Sequence, residues 1–250
     1  MRLRRLPMTL TGARGRWVMM AGVFEQQGDG RSWVAERGLV DLTMPMSERT
    51  IPVPGHPAAE LEPLHRIESD GMRNTIMRFS IHTGTHIDAP SHFIPDGASI
   101  DQIPIERFWR PALRLDLTDA EPGEAIDLAQ LEAAGFPGES ARDTILLLAT
   151  GWTDRVWRSE RLYDDNPFLA EDAARALAKA RPAALGLDFA VDAGRPWPNH
   201  TTLLGDEVLL IENLMGLSGL PRDGFELIAF PLRLAGENGG PARVVASIPR

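Results

Sequence analysis

Gly84 and Pro90 forbid a helix through the run His82-Thr-Gly-Thr-His86-Ile-Asp88-Ala-Pro-Ser-His92, which holds three of the chain's six histidines. At the chain's average density, a window of that length would carry about a quarter of one histidine. Turn and strand backbone must therefore bring these imidazoles together. Neutral imidazole beside carboxylate is the nitrogen and oxygen donor set that Zn²⁺, Mn²⁺ and similar ions prefer. Gly84 lets the backbone fold tightly enough for His82 and His86 to converge. Thr83 and Thr85 can hold ring nitrogens or carboxylates from behind, and Pro90 stiffens the exit and sets His92 apart.

The chain has no cysteine, which removes disulfides, thiolate zinc sites and cysteine nucleophiles together. Any transition metal must be held by His, Asp, Glu or a neutral oxygen. The formal net charge is −9, with Arg2, Arg4, Arg5, Arg14 and Arg16 standing at the start without an acid among them. The remainder carries about −14. Such a body repels nucleic acid and anionic membrane, and no basic stripe with interleaved aromatics occurs. No apolar run approaches the roughly 20 residues of a membrane span. Arg14 and Arg16 break up the N-terminal region around Trp17–Phe24 and no small-residue cleavage site follows, which disfavours a signal peptide. Residues 1–37 read as a weakly structured arm or a start placed too far upstream, with Met8, Met19 and Met20 as alternatives. The expected location is cytoplasmic.

From residue 38 onward the pattern is that of one α/β unit rich in strands. Gly38–Met44 reads as a strand, and 45–64, with Pro52, Pro54, Pro57 and Pro63, as an extended loop. Met77, Phe79 and Ile81 alternate with Arg78, Ser80 and His82, which predicts a half-buried strand carrying His82 on its polar face. Strands follow over 112–117, 145–149, 183–187, 208–211, 226–234 and 243–247. Asp127 with Gln130 predicts a capped short helix ending at Gly135. A helix over 169–180 opens on Glu171 and Asp172 and stops before Pro182.

The His82–His86 spacing matches the pair on helical zinc proteases, but here a turn must meet it, which argues against that class. Two distant candidates are His200, in a predicted loop between strands, and Glu212, at the end of the run 208–211; taken alone, the first reads as a loop histidine and the second as a solvated strand end. Trp152 and Trp197 sit beside these segments, either as core or rim packing or as a wall for a flat aromatic substrate. His56 and His65 read as surface residues. No G-x-S-x-G occurs, and no phosphate-binding glycine pattern follows a strand.

The histidine run resembles the H-x-G-T-H-x-D-x-P-x-H signature of the cyclase-like metal hydrolases, which include bacterial kynurenine formamidase and isatin hydrolase. The resemblance continues at Thr150-Gly-Trp152, Gly186-Leu-Asp188, His200 with Glu212, and Pro231 through Arg243, covering about 38–248. It implies a single domain over 38–250 of the swivelling β/β/α type. It further implies that His82, His86 and Asp88 hold one divalent ion, Zn or Mn, and that Asp88, His200 and Glu212 hold or bridge a second where two are bound. His92 stays unligated as the proton-transfer residue. The implied activity is hydrolysis of a carbon–nitrogen bond in an amide, aryl formamide or cyclic amide, on a small-molecule substrate. Two other readings stay open: a metal-dependent cyclase or dehydratase of a secondary metabolite, and a non-catalytic metal-binding protein. Relatives of this kind imply a homodimer or higher homo-oligomer. The formamidases commonly carry Trp-Pro-Gly before the signature, where Pro52-Val-Pro-Gly55 here has valine, so the substrate itself stays open.

Overall fold

The computed structural model describes residues 37–249. The arm read over 1–37, with its alternative starts, lies outside them except for Arg37, which opens the first strand. The strands are β1 (Arg37–Asp41), β2 (Glu60–His65), β3 (Asn74–Arg78), β4 (His86–Asp88), β5 (Trp109–Asp116), β6 (Ala125–Ile126), β7 (Ile145–Ala149), β8 (Phe168–Leu169), β9 (Ala184–Leu187), β10 (Leu209–Glu212), β11 (Phe225–Pro231) and β12 (Gly239–Pro249). The longest helices among the described residues are α1 (Leu128–Ala133), α2 (Glu171–Ala180) and α3 (Pro198–Gly205).

Eight strands form one sheet in the order β1-β12-β11-β5-β7-β9-β10-β4, and a further β12–β4 pairing closes it into a barrel. The β5–β7, β7–β9 and β9–β10 pairs are parallel, and the rest of the sheet is antiparallel. Parallel strands packed on both faces read as unbroken apolar runs, and β7, Ile-Leu-Leu-Leu-Ala, is buried at every residue. Its side chains alternate between two cores. Ile145, Leu147 and Ala149 join Ile87, Ile211, Leu227 and Val244 inside the barrel. Leu146 and Leu148 join Ala173, Leu177 and Leu203 under α2 and α3 outside it. Each fully buried leucine contributes about 1.5–3 kcal/mol.

The capping box on α1 is present, Asp127 accepting from the Gln130 backbone and Gln130 from that of Asp127. Helix α2 starts at Glu171, and the strand β8 ends two residues before it, at Leu169. The stretch read as a loop over 45–64 contains β2 from Glu60 onward. The expected half-buried strand around 77–82 is corrected more substantially. Strand β3 ends at Arg78, pairs only with β2, and is exposed on both faces. His82 lies beyond it in a turn, because the chain leaves the ribbon before reaching the barrel.

The Thr150-Gly-Trp and Gly186-Leu-Asp segments are architectural. Buried Asp188, just after β9, accepts from the Thr150 backbone (2.9 Å) and hydroxyl (2.6 Å) and from the Gly151 backbone (2.7 Å), just after β7. Burial pushes its carboxyl up to about 6 against those bonds, so it is ionised at pH 8. Asp188→Asn sets an amide N–H₂ against these donors. We expect a loss of about 1–3 kcal/mol of stability in denaturant unfolding at pH 8; an unchanged midpoint refutes this anchoring role.

Candidate metal centre

Register assembles the centre. On β4, His86 and Asp88 are two residues apart and share one face, while Ile87 between them enters the barrel. Strand β10 pairs antiparallel with β4, placing Glu212 opposite His86 and Leu210 opposite Asp88. Ile211 also points into the barrel, so Glu212 faces outward with His86 and Asp88. Strand β12 flanks β4 on its other side, Gly239 opposite Asp88. A methyl group on Gly239 would lie 2.5 Å from the Ile87 carbonyl oxygen and 3.1 Å from the His82 ring, so only glycine fits this close approach.

His82 enters from the preceding turn, where Gly84 has φ +69°. Its Nδ1 lies 2.7 Å from Asp88 Oδ1, and its Nε2–H donates to Asn238 Oδ1 at 2.6 Å. His86 donates Nδ1–H to the Gly84 carbonyl at 2.8 Å, which leaves Nε2 free, 3.2 Å from Asp88 Oδ1 and 3.8 Å from Glu212 Oε2. His200 is the third residue of α3, not a loop residue as expected; Pro198 at the first helical position starts the helix. Asp192 accepts from the Asn199 backbone (2.9 Å), the His200 backbone (3.1 Å) and His200 Nδ1 (2.6 Å). His200 Nε2 is thereby aimed at Asp88 Oδ2 (3.6 Å) and Glu212 Oε1 (3.5 Å).

Two triads result, His82-His86-Asp88 and Asp88-His200-Glu212, each with ligand atoms within 4.8 Å of one another. Metal–ligand bonds of 2.0–2.2 Å in a tetrahedron place ligand atoms about 3.4 Å apart, close to the spacings here. Asp88 Oδ2 and Glu212 Oε1 are buried and accept no hydrogen bond. Buried carboxylate oxygens without donors call for a cation, so the donor set fits one or two divalent ions.

The protonation balance points the same way. Burial works against the Asp88 carboxylate, but the His86 charge and the imidazoles of His200 and His82 turned toward it hold it well below the usual carboxylate range. Burial likewise opposes the charged forms of His86 and His200, and the surrounding carboxylates outweigh it and raise both. In chemical terms, the cluster attracts positive charge.

His92 lies on the short turn Pro90–His92. Its ring stacks on His82 at 3.9 Å between centroids and stands 6.1 Å from the His200 ring. Burial pushes it down to about 4. Its ring nitrogens take no hydrogen bond from any described residue, and it belongs to neither triad. Phe93 packs edge-on against His92 (4.6 Å), stacks on His200 (4.7 Å) and meets Trp197 edge-on (5.9 Å). Trp197 therefore flanks the centre.

Trp152 does not belong to the wall that the sequence offered it for. It is 1% exposed, packs in the core outside the barrel, and donates Nε1–H to the Leu162 carbonyl. Exposed His56 lies near enough for the His82 and His86 charges to add to the burial that pushes it down. Asp192, Asn238 and Phe93 escaped the sequence reading. Phe93 could have been found by its adjacency to His92. Asp192 and Asn238 have no periodicity or motif that would have marked them.

Fold and centre together define a closed α/β barrel carrying an external histidine–carboxylate metal site. The Cyclase family model matches residues 40–193, and the chain belongs to that family. It is 29% identical over 214 residues to the kynurenine formamidase of Salinibacter ruber, covering 83% of this chain and 96% of the relative. Among solved structures it is similar to isatin hydrolase A from Ralstonia solanacearum, with TM-score 0.78, 24% identity, and 91% and 100% of the two chains covered. It is also similar to isatin hydrolase A from Labrenzia aggregata, with TM-score 0.75, 28% identity, and 87% and 96% covered.

Asp192 fixes the tautomer and aim of His200, as carboxylates behind metal-bound histidines commonly do. Asp192→Asn should weaken divalent-metal affinity about 10- to 100-fold in a competitive chelator titration. Unaltered affinity removes Asp192 from the support of the centre.

Proposed function

We propose that this protein is a metal-dependent hydrolase that cleaves a carbon–nitrogen bond of an amide, aryl formamide or cyclic amide. The observation that carries this reading is the pair of triads sharing Asp88, with a histidine of uncommitted ring nitrogens stacked against them. The relatives named for a formamidase and for isatin hydrolysis support it.

His82, His86 and Asp88 would hold one Zn or Mn ion, and Asp88, His200 and Glu212 a second. A divalent ion in such a site supplies Lewis acidity, acidifying water and polarising a carbonyl oxygen. The chain's own residues do the rest. Asn238 and Asp192 each engage one ring nitrogen of a ligand histidine and leave the other turned inward. Phe93 and Trp197 shape an apolar side to the centre that orients a flat substrate and excludes water. His92 carries the proton: its nitrogens are free to take one from the water nucleophile and hand it to the departing nitrogen. Asp88 and Glu212 would be committed to the ion and so would not serve in that role.

Removal of metal by a chelator should abolish hydrolysis of an aryl formamide, and Zn²⁺ or Mn²⁺ should restore it, read by release of formate. Activity that survives full metal removal, or turnover without a new carboxylate, overturns the hydrolase reading. His92→Ala should keep its metal and lose about 10²–10⁴ in turnover. If metal content falls with activity, His92 is a ligand and the division of roles is wrong.

A further inference from the structure

We propose that Arg195 is a specificity-determining residue that receives an anionic group of the substrate, remote from the bond being cleaved. The inference rests on the hydrolase reading and concerns the same site. Phe93 touches both His92 (4.6 Å) and His200 (4.7 Å), and Trp197 continues this wall 5.9 Å further out. The Arg195 guanidinium lies over the Trp197 ring, its Cζ 4.3 Å from the centroid. A continuous shelf thus runs from the proton carrier and a metal ligand to an exposed cation.

Two features separate Arg195 from an ordinary surface arginine. The first is its lack of a polar partner at this place: Arg155 and Arg158 also lie over tryptophans without an ion pair, but over Trp152 and Trp157, which do not join the Phe93 wall. Arg114, Arg161, Arg175, Arg181 and Arg243 are ion-paired. Arg195 has neither ion pair nor hydrogen bond among the described residues and is held by the tryptophan face alone. Cation–π contact fixes a guanidinium in place while leaving its N–H edge available for a bidentate carboxylate. The second feature is Trp197 itself, whose backbone has φ +59° and ψ +59°. A bulky residue held in the left-handed region costs about 1 kcal/mol or more and persists where the surroundings over-determine it. Here the Trp197 N–H donates to Gly194 O at 3.0 Å, closing the turn that also carries Arg195.

The electrostatic setting favours the same assignment. The chain carries a net charge of −9. An anionic substrate is repelled by such a body, so a local, oriented cation at the outer end of the shelf sets its direction of entry. The amide end lies toward His92, the aromatic part on Phe93 and Trp197, and the anionic arm at Arg195.

The test uses the zinc-loaded full chain and two substrates with the same scissile bond: a formanilide bearing a propionate arm, and its methyl ester. We expect the wild-type protein to prefer the acid, and Arg195→Met to lower the acid-to-ester ratio of kcat/KM at least about tenfold, mainly through KM. Calorimetric binding of the aniline product with its propionate arm should weaken by a similar factor. A parallel fall for both substrates, which a merely structural role would give, overturns the proposal, as does product binding indifferent to Arg195. If neither formanilide is cleaved but product binding still depends on Arg195, the anion site stands and the hydrolase reading falls.

Discussion

The three-residue strand β4 is the constraint on which the molecule turns. It lies between β10 and β12 and makes the pairing that closes the barrel. It also carries His86 and Asp88 on its outward face and Ile87 on its inward one. Because side chains alternate along a strand, a slip of one residue would bury both polar groups among Ile145, Leu147 and Val244 and expose the isoleucine. The hydrophobic interior therefore enforces the geometry of the metal centre. Closure of the sheet and assembly of the first ligands are one event.

The remaining ligands come from elements that this closure brings alongside. Glu212 ends the strand paired with β4, and His200 rides on a helix packed outside the parallel strands. Asp88 belongs to both triads, so it is the hinge of the electrostatics as well as of the geometry. Its buried charge is tolerable only because imidazoles converge on it and because its second oxygen waits for a cation. Two carboxylates this deep without such company would be strongly unfavourable.

Much of this is legible in the sequence, for identifiable reasons. The run Ile145–Ala149 announces a strand buried on both faces, and it is one. Gly84 and Pro90 exclude a helix through the histidines, and that stretch is turn, strand and short 3-10 turn. Alternation misleads at Met77, Phe79 and Ile81, because period two says that a strand has two kinds of face but not that either meets a core. The ribbon of β2 and β3 leaves Ile76 and Met77 exposed. His200 is misplaced because Pro198 suggests a loop, although proline is also a common first residue of a helix. Trp152 marks a different limit: nearness in sequence to a site segment does not fix which side of a strand end a large ring occupies. Asp192 is invisible because its meaning lies in a hydrogen bond to a residue eight positions on, across a turn.

That same Asp192 binds three donors, two from the first turn of α3 and one from the ring of His200. One carboxylate thus serves as the lock on a helix end and as the aim of a ligand. Fraying of that first turn and loss of the aim of the His200 ring are consequently a single local opening rather than two independent motions. An ion held by Asp88, His200 and Glu212 would then depend on a helix terminus, so that a change loosening α3 would reach the centre without touching His82, His86, Asp88 or Glu212.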